Sequence, residues 1–284
     1  MSAVPDPVLV AARAMVFVDD PADPVLNADD THHLFDVLRL RPGELVVASD
    51  GAGSWAPCRV AGRPGAGRGA DRDGVLAVDG DVSRVDPPRP VVTVAFVPAK
   101  GDRPEWVVQK LTEVGVDRII PLVSGRSVVR WEGDRAVRAA ERLRRVAREA
   151  SAQSRRVWLP EVTGLTTVDG LAPPPGPGAD PAVSLGPGAD PAVPPGPGGD
   201  PAVSLGPAVP PVPGVVLAHP GGGPPSLACP VIAVGPEGGW TEEEVAGAAG
   251  TVGLGPTVLR AETAALVAGA ILCALRSGVV GPLA

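Results

Sequence analysis

The sequence predicts an α/β protein in which a mostly parallel sheet carries helices on its faces, preceded by a small all-β unit. Three observations lead there. From Ala14 to about Val85, short apolar stretches recur between clusters of Gly, Pro and Asp, at the spacing of a small β-barrel or sandwich. From Val91 onward, apolar runs alternate with helical patterns, which makes a largely parallel sheet. Near the end, Val231-Ile232-Ala233-Val234 runs straight into Gly235-Pro236-Glu237-Gly238-Gly239 and then a charged helical pattern from Thr241. That order is strand, tight loop, helix.

Composition narrows the class. The chain has 284 residues, enough for one large or two modest domains, and a net charge of −7 that argues against a general nucleic-acid coat protein. Arginine is nevertheless concentrated between Arg126 and Arg156, so a local basic face for RNA is open. Cys58, Cys229 and Cys273 are far apart and odd in number, which supports neither a disulfide framework nor a zinc site and fits a reducing cytoplasm. No signal peptide pattern and no membrane-spanning run is present, so a cytoplasmic protein without membrane contact is expected.

Taken in order, the strands of the first unit are AMVFVDD, GELVVASD, WAPCRVAG and GVLAVDGDV. Between the first two, Asp30 to Leu40 reads as a helix with Leu34, Val37 and Leu38 on one face and His32, His33 and Arg39 near its ends. Adjacent histidines without a third ligand nearby are surface residues, and no metal is expected. Gly51-Ala52-Gly53-Ser54-Trp55-Ala56 imitates a dinucleotide fingerprint, but Pro57 and the β-rich residues after it deny the helix that such a fingerprint needs. The Pro-rich stretch 86–90 marks the boundary, giving a first domain over residues 1–86 and a second over 91–284.

In the second domain the reading is strand Val91 to Val97, helix about Arg103 to Gly115, strand Arg118 to Val123, helix about Asp134 to Ser151, and strand Val157 to Val162. The second helix carries a core stripe of Ala136, Ala139, Ala140, Leu143, Ala147 and Ala150. Arg138, Arg142 and Arg145 share its other face, a solvated surface by default, with extra weight for RNA from Arg126, Arg130, Arg155 and Arg156 around it. Leu171 to Gly214 repeats a ten-residue unit of the type GPGADPAVSL, too rich in Pro and Gly for helix or sheet, and reads as a disordered or polyproline-like insertion. Strand Val215 to His219 follows, then the Val231 strand, a helix opened by the Thr241-x-x-Glu244 capping box, and a last helix from about Glu262 to Arg276. That helix is apolar or small around almost its whole circumference, so a second copy is expected to cover it, with Ala268, Gly269 and Leu272 permitting close approach.

Three turns follow apolar strands here: His219-Pro220-Gly221, Gly235 to Gly239, and Leu254-Gly255-Pro256. In a parallel sheet all three lie at the carboxyl edge and converge on one pocket. Glu237 in the middle of the loop repels a phosphate, so a neutral or cationic ligand suits the pocket better. A purely structural strand-to-helix turn is the alternative.

These motifs carry a resemblance. GPEGGW-T-x-x-E, the Leu254 to Ala264 segment with its LRAETA, Glu105 to Val116 (EWVVQKLTEVGV) and THHLFDVLRLRPG near the start resemble, in order, the 16S ribosomal RNA uridine-N3 methyltransferases. This ribosomal small-subunit methyltransferase E family is a branch of the SPOUT superfamily. The resemblance covers nearly the whole chain outside the insertion. It implies a PUA-like β-barrel that grips rRNA, a SPOUT-type trefoil-knotted α/β domain, S-adenosyl-L-methionine as cofactor, a homodimer, and 16S rRNA of the small ribosomal subunit as substrate. Carried over, the cofactor residues are Leu217, Ala218, His219, Gly235, Pro236, Glu237, Gly238, Gly239, Leu254, Gly255, Leu259 and Thr263. RNA contacts are expected from Arg39, Arg126, Arg130 and Arg155. One departure stands out: the family usually has Glu-Gln-Ser after the arginine helix, where this chain reads Ala150-Ser151-Ala152-Gln153-Ser154.

Methylation at uracil N3 requires loss of the imide proton and stabilisation of the resulting anion. Arg260 suits the stabilising role, because a guanidinium donates to O2 or O4 without competing as a nucleophile. Glu262 is the nearest carboxylate in sequence for the proton. An rRNA-binding assembly factor without catalysis, or a SPOUT methyltransferase acting on another RNA, remain alternatives at this level.

Overall fold

The structure is a computed structural model that describes residues 6–63, 75–101, 103–127, 131–171 and 214–281. The repeats between Leu171 and Gly214, most of the Gly62 to Gly74 loop, and Arg130 lie outside the described residues. Among the described residues no helix is long and apolar enough to cross a membrane.

After a short helix α1 (Pro7–Ala11), the first unit is a five-stranded sheet. Strand β1 (Ala14–Phe17) lies parallel to β2 (Leu45–Ser49); β2 is antiparallel to β3 (Ser54–Val60), which pairs with both β4 (Leu76–Val78) and β5 (Ser83–Arg84). All four residues of β1 are buried, because both faces of the sheet are covered. One face packs Ala14, Val16, Val46, Ala48 and Cys58 under Leu34 and Phe35. The other packs Met15, Phe17, Val47 and Trp55 against Val157 from the second half of the chain.

The expected helix over 30–40 is shorter and wider. Helix α2 (Ala28–His32), capped by the Asn27 side chain accepting from the Asp30 amide at 2.7 Å, passes into a π-helical turn over His33–Val37. The extra residue in that turn directs the neighbours Leu34 and Phe35 both inward. It leaves Val37 and Leu38 on the surface, which corrects the core face read from an ideal helical period.

The second unit is a seven-stranded sheet with every pairing parallel. Its strands are β6 (Thr93–Phe96), β7 (Arg118–Val123), β8 (Glu161–Val162), β9 (Thr166–Thr167), β10 (Val216–Gly223), β11 (Val231–Val234) and β12 (Gly250–Val252). The order is β12-β10-β11-β6-β7-β8, with β9 beside the end of β7. Residues alternate across it as a strand must. Val94, Phe96, Ile119, Ile232 and Val234 meet helices α3 (Arg103–Val114), α4 (Gly133–Gln153) and α6 (Ala261–Ser277), whereas Ala95, Ile120, Leu122 and Ala233 meet Val168, Leu171 and Trp240. The alanine stripe of α4 is buried as the sequence implies, at Ala139, Ala140, Leu143, Ala147 and Ala150. Helix α6 turns Ala268, Gly269 and Leu272 into its own chain's core. A Cβ on Gly269 would come within 2.8 Å of Leu111 and Val116, so these three residues are not the outward face that the sequence pattern suggests.

The expected strand over 157–162 divides. Gly53 donates to the Val157 carbonyl, Leu159 to the Gly51 carbonyl and the Trp158 indole to the Val85 carbonyl, so 157–159 stitches onto the first sheet. Only Glu161–Val162 joins the parallel sheet. Helix α4 completes this junction, with the Arg148 guanidinium 4.9 Å from the Phe17 ring centroid and donating to the Phe17 carbonyl.

Candidate active site

Three turns at the carboxyl edge of β10, β11 and β12 enclose one cavity of about 330 Å³. Each follows from local sequence. β10 runs on through Pro220-Gly221-Gly222-Gly223 with an irregularity after Ala218, and this glycine stretch lies directly on β12. A Cβ on Gly222 would sit 2.5 Å from the Val252 backbone, so only glycine permits the two strands to touch there. The loop after β11 is held by Trp240, whose ring lies beneath Gly235 and whose Nε1 donates to the Ala218 carbonyl at 3.1 Å. Helix α5 (Glu242–Gly247) then starts with the expected capping box between Thr241 and Glu244.

A second loop closes on the first. The Glu244 carboxylate accepts from the Gly125 amide at 3.0 Å and the Ser124 hydroxyl at 3.2 Å, while Arg126 Nη1 donates to the Gly238 carbonyl at 2.8 Å. Burial by itself raises the Glu244 carboxyl, but the hydrogen bonds from Thr241, Gly125 and Ser124 outweigh it and hold the group below its ordinary value.

Of the residues expected at a cofactor, Ala218, His219, Gly235, Pro236, Glu237, Gly239, Leu254, Gly255 and Leu259 line the cavity. Leu217, Gly238 and Thr263 do not: Leu217 is fully buried in the core, Gly238 offers its carbonyl to Arg126, and Thr263 lies on the first turn of α6. Val234, Trp240 and Ala264 lie in the sequence motifs but are not among the expected cofactor residues, and they also form the wall. Trp240 stands directly after the glycines it supports, and that adjacency is the available signal. Arg126, expected on RNA, lines this cavity as well.

Arg260 is the N-cap of α6 and is exposed; its neighbours Leu259 and Ala261 line the cavity, and among the described residues its guanidinium has no hydrogen-bond or ion-pair partner. Glu262 is placed differently from its expected role. Its Oε1 pairs with Arg103 Nη1 at 3.2 Å, its side chain is 15% exposed, and it is absent from the cavity wall. Arg155 also needs correction, because its guanidinium is committed to the carbonyls of Ala12, Arg13, Ala152 and Gln153. Arg156 is inside the protein, bound to Asp117 and to the Thr112 and Val116 carbonyls. Arg39 is exposed at φ 55° in the first unit.

The wall suits a cation with an apolar body. It carries one carboxylate, Glu237, and its one guanidinium, Arg126, already serves Gly238, while Val234, Trp240, Leu254, Leu259 and Ala264 supply apolar surface. Burial pushes the Cys58 and Cys273 thiols up to about 11, so neither is a thiolate nucleophile. Among the described residues no group of three or more His, Cys, Asp or Glu is placed to hold a metal.

Residues 87–173 and 226–273 match the RNA methyltransferase domain model, and residues 26–65 match the RNA methyltransferase PUA domain model. The ribosomal RNA small subunit methyltransferase E of Mycobacterium bovis is 35% identical over 254 residues, covering 88% of this chain and 86% of that protein. The protein of that name from Bacillus subtilis is 28% identical over 247 residues, 86% of each chain. Among solved structures, a probable rRNA-methyltransferase from Porphyromonas gingivalis superposes with a TM-score of 0.64 at 24% identity, over 94% of this chain and 100% of that one. The ribosomal RNA small subunit methyltransferase E from Neisseria gonorrhoeae, bound to S-adenosyl methionine, gives 0.63 at 24%, over 92% and 97%. The fold is therefore the SPOUT-type α/β class preceded by a PUA unit. Its sequence places the chain in a family as well as a fold: it belongs to the ribosomal RNA small subunit methyltransferases E.

Proposed function

We propose that the protein is an S-adenosylmethionine-dependent methyltransferase acting on N3 of a specific uridine in the 16S rRNA of the small ribosomal subunit. The observation that carries this reading is the convergence of three backbone turns on one cavity whose single carboxylate is Glu237. Bound there, S-adenosylmethionine supplies an electrophilic methyl group on a sulfonium centre. Ala218, Gly235, Gly239, Leu254 and Gly255, which line the cavity, would hold it through backbone and close apolar contact, and Glu237 would complement its positive charge. Arg260 would donate to a uracil carbonyl oxygen and stabilise the anion formed when N3 gives its proton to solvent water. Glu262, paired with Arg103, acts by positioning the Arg103 guanidinium.

We further propose a homodimer in the cytoplasm. Helix α6 leaves Leu266, Val267, Ala270, Ile271 and Ala274 only half-buried, a continuous apolar stripe opposite its core face.

The test combines calorimetry with S-adenosylmethionine and methyl transfer to small subunits from a strain lacking the modification, read by mass spectrometry of the 16S rRNA. Heat of cofactor binding with one new methyl on a uracil is the expected result. An rRNA-binding assembly factor would give neither, and a methyl on ribose or on another RNA would replace the substrate assignment.

A further inference from the structure

Three cavities on one side of the molecule share walls. The first is the cofactor cavity just described. A second, of about 360 Å³, is lined by Val97, Pro98, Ala99, Lys100 and Arg103 and shares Pro236 and Glu237 with the first. A third, of about 550 Å³, shares Ala99 and Lys100 with the second and is otherwise lined by Gly101, Trp131, Arg135, Arg138, Ala139 and Arg142. The third cavity thus gathers four cations and an indole with no carboxylate in its lining, in a chain of net charge −7.

The cations differ in how far they are already used. Arg142 pairs with Glu105 at 2.5 Å and Arg103 with Glu262 at 3.2 Å. Among the described residues, Lys100, Arg135 and Arg138 have no hydrogen-bond or ion-pair partner for their charged groups. Arg135 and Arg138 are one turn apart on α4, on the same exposed side. Trp131 is half-buried, packed against the core on one side and lining the groove on the other. A row of cations beside a fixed aromatic face is the chemistry of single-stranded nucleic acid, with phosphates on the cations and a base on the ring.

We propose that this groove is the track for a single-stranded segment of the RNA substrate: Arg135, Arg138 and Lys100 take phosphates, Trp131 stacks a flanking base, and Arg103, positioned by Glu262, receives the target nucleotide where the second cavity opens on Glu237. The reading rests on the methyltransferase function proposed above. It adds Lys100, Arg135 and Trp131 to the α4 arginines that the sequence weighs for RNA, and leaves out Arg155, whose guanidinium is consumed by backbone carbonyls.

The experiment measures binding of a fluorescein-labelled, short single-stranded oligoribonucleotide by anisotropy over a salt series, with S-adenosylmethionine calorimetry on the same samples. Every phosphate deprived of its cation lowers the salt slope by about 0.7, so the Arg135→Ala/Arg138→Ala pair is expected to lower it by about 1.4 with cofactor affinity unchanged. Trp131→Leu, which keeps an apolar cover on the core, is expected to weaken binding about tenfold without changing the slope, and Trp131→Phe to restore most of it. Should Trp131→Leu melt early, the arginine pair still decides. Unchanged affinity and slope in the arginine pair, or no oligoribonucleotide binding by the wild-type protein, overturns the track. Failure of the enzyme reading looks different, because the groove variants would still alter RNA binding while the wild-type protein took up no cofactor and transferred no methyl.

Discussion

The indole of Trp240 joins two of the three turns around the cavity: its Nε1 donates to the Ala218 carbonyl at 3.1 Å, and its ring fills the space where Gly235 would carry a Cβ. One side chain therefore sets the distance between the loops after β10 and β11. A methyl at Gly235 would stand 2.9 Å from the ring, and Trp240 is only 7% exposed, so it has little room to yield. Gly235→Ala is expected to cost about 1–3 kcal/mol of stability, as overpacking does, and to weaken S-adenosylmethionine binding in calorimetry. Trp240→Phe should also weaken binding, by loss of the Ala218 hydrogen bond, with a smaller effect on melting. Equal cofactor affinity in all three proteins would separate the indole from the site.

A second prediction concerns acid. Burial raises the Glu244 carboxyl, yet its hydrogen bonds to the Thr241 and Gly125 amides and to Ser124 hold it below 4.5 in the folded protein. A depressed carboxyl binds fewer protons folded than unfolded, so its contribution is complete above about 4.5 and is lost as pH falls through the folded value. Since Glu244 also clasps the loop bearing Arg126, cofactor affinity should fall with it. Glu244→Gln is expected to melt lower than wild type at neutral pH but to lose less on acidification. Parallel melting curves across roughly pH 5 to 3 would show that the clasp carries no linkage.

The limits of sequence reasoning lie where long-range partners decide. The cavity is legible because strand, glycine turn and helix are local signals, and three of them in a parallel sheet must share an edge. Helix α3, strand β7 and helix α4 are legible from period and alternation for the same reason. Arg155 and Arg156 are not, because an arginine pair at a helix end reads as solvated unless one knows that the Ala12 carbonyl and Asp117 lie against it. The segment after them looks like one strand, although its first residues bond the other sheet. No local pattern distinguishes which sheet an extended run will join. Glu262 is close in sequence to Arg260, whereas a first-turn side chain is claimed by whatever helix packs alongside, here α3 through Arg103.

Asp117 offers a test of the buried network that absorbs Arg156. It is 12% exposed and accepts from Arg156, from Arg276 and from the Val92 amide, while Arg276 also donates to the Pro90 and Gly115 carbonyls. Removing the acid leaves two largely desolvated guanidinium groups without a counter-charge, bonded only to backbone carbonyls. Asp117→Ala is therefore expected to lose about 3–5 kcal/mol in urea unfolding. A loss below about 1 kcal/mol would mean that water replaces the carboxylate freely, as at an exposed pair.

The outward stripe of α6 supplies the prediction for assembly. Ile271→Glu places a charge in the middle of that stripe without touching the core residues Ala268 and Leu272. Light scattering at micromolar concentration should give twice the chain mass for the wild-type protein and the single-chain mass for the variant. A wild-type monomer would remove α6 as a self-association face.

Arg260 carries the chemical prediction. Its guanidinium is exposed, is without a partner among the described residues, and sits between two residues of the cavity wall. If it stabilises negative charge on the uracil, Arg260→Ala should leave S-adenosylmethionine affinity nearly intact while lowering single-turnover transfer by ~100-fold or more, the scale of losing one oxyanion donor. Lysine should rescue poorly, because it lacks the planar fork that meets a carbonyl edge. A guanidinium that only held a phosphate would behave otherwise: the rate at saturating small subunits would persist, and the apparent KM and its salt dependence would change. Loss of cofactor binding together with a lower melting temperature would mark Arg260 as part of the scaffold at the α6 N-terminus. Single-turnover rates on small subunits at two salt concentrations distinguish these outcomes, and an unchanged rate in the alanine variant would take Arg260 out of the chemistry.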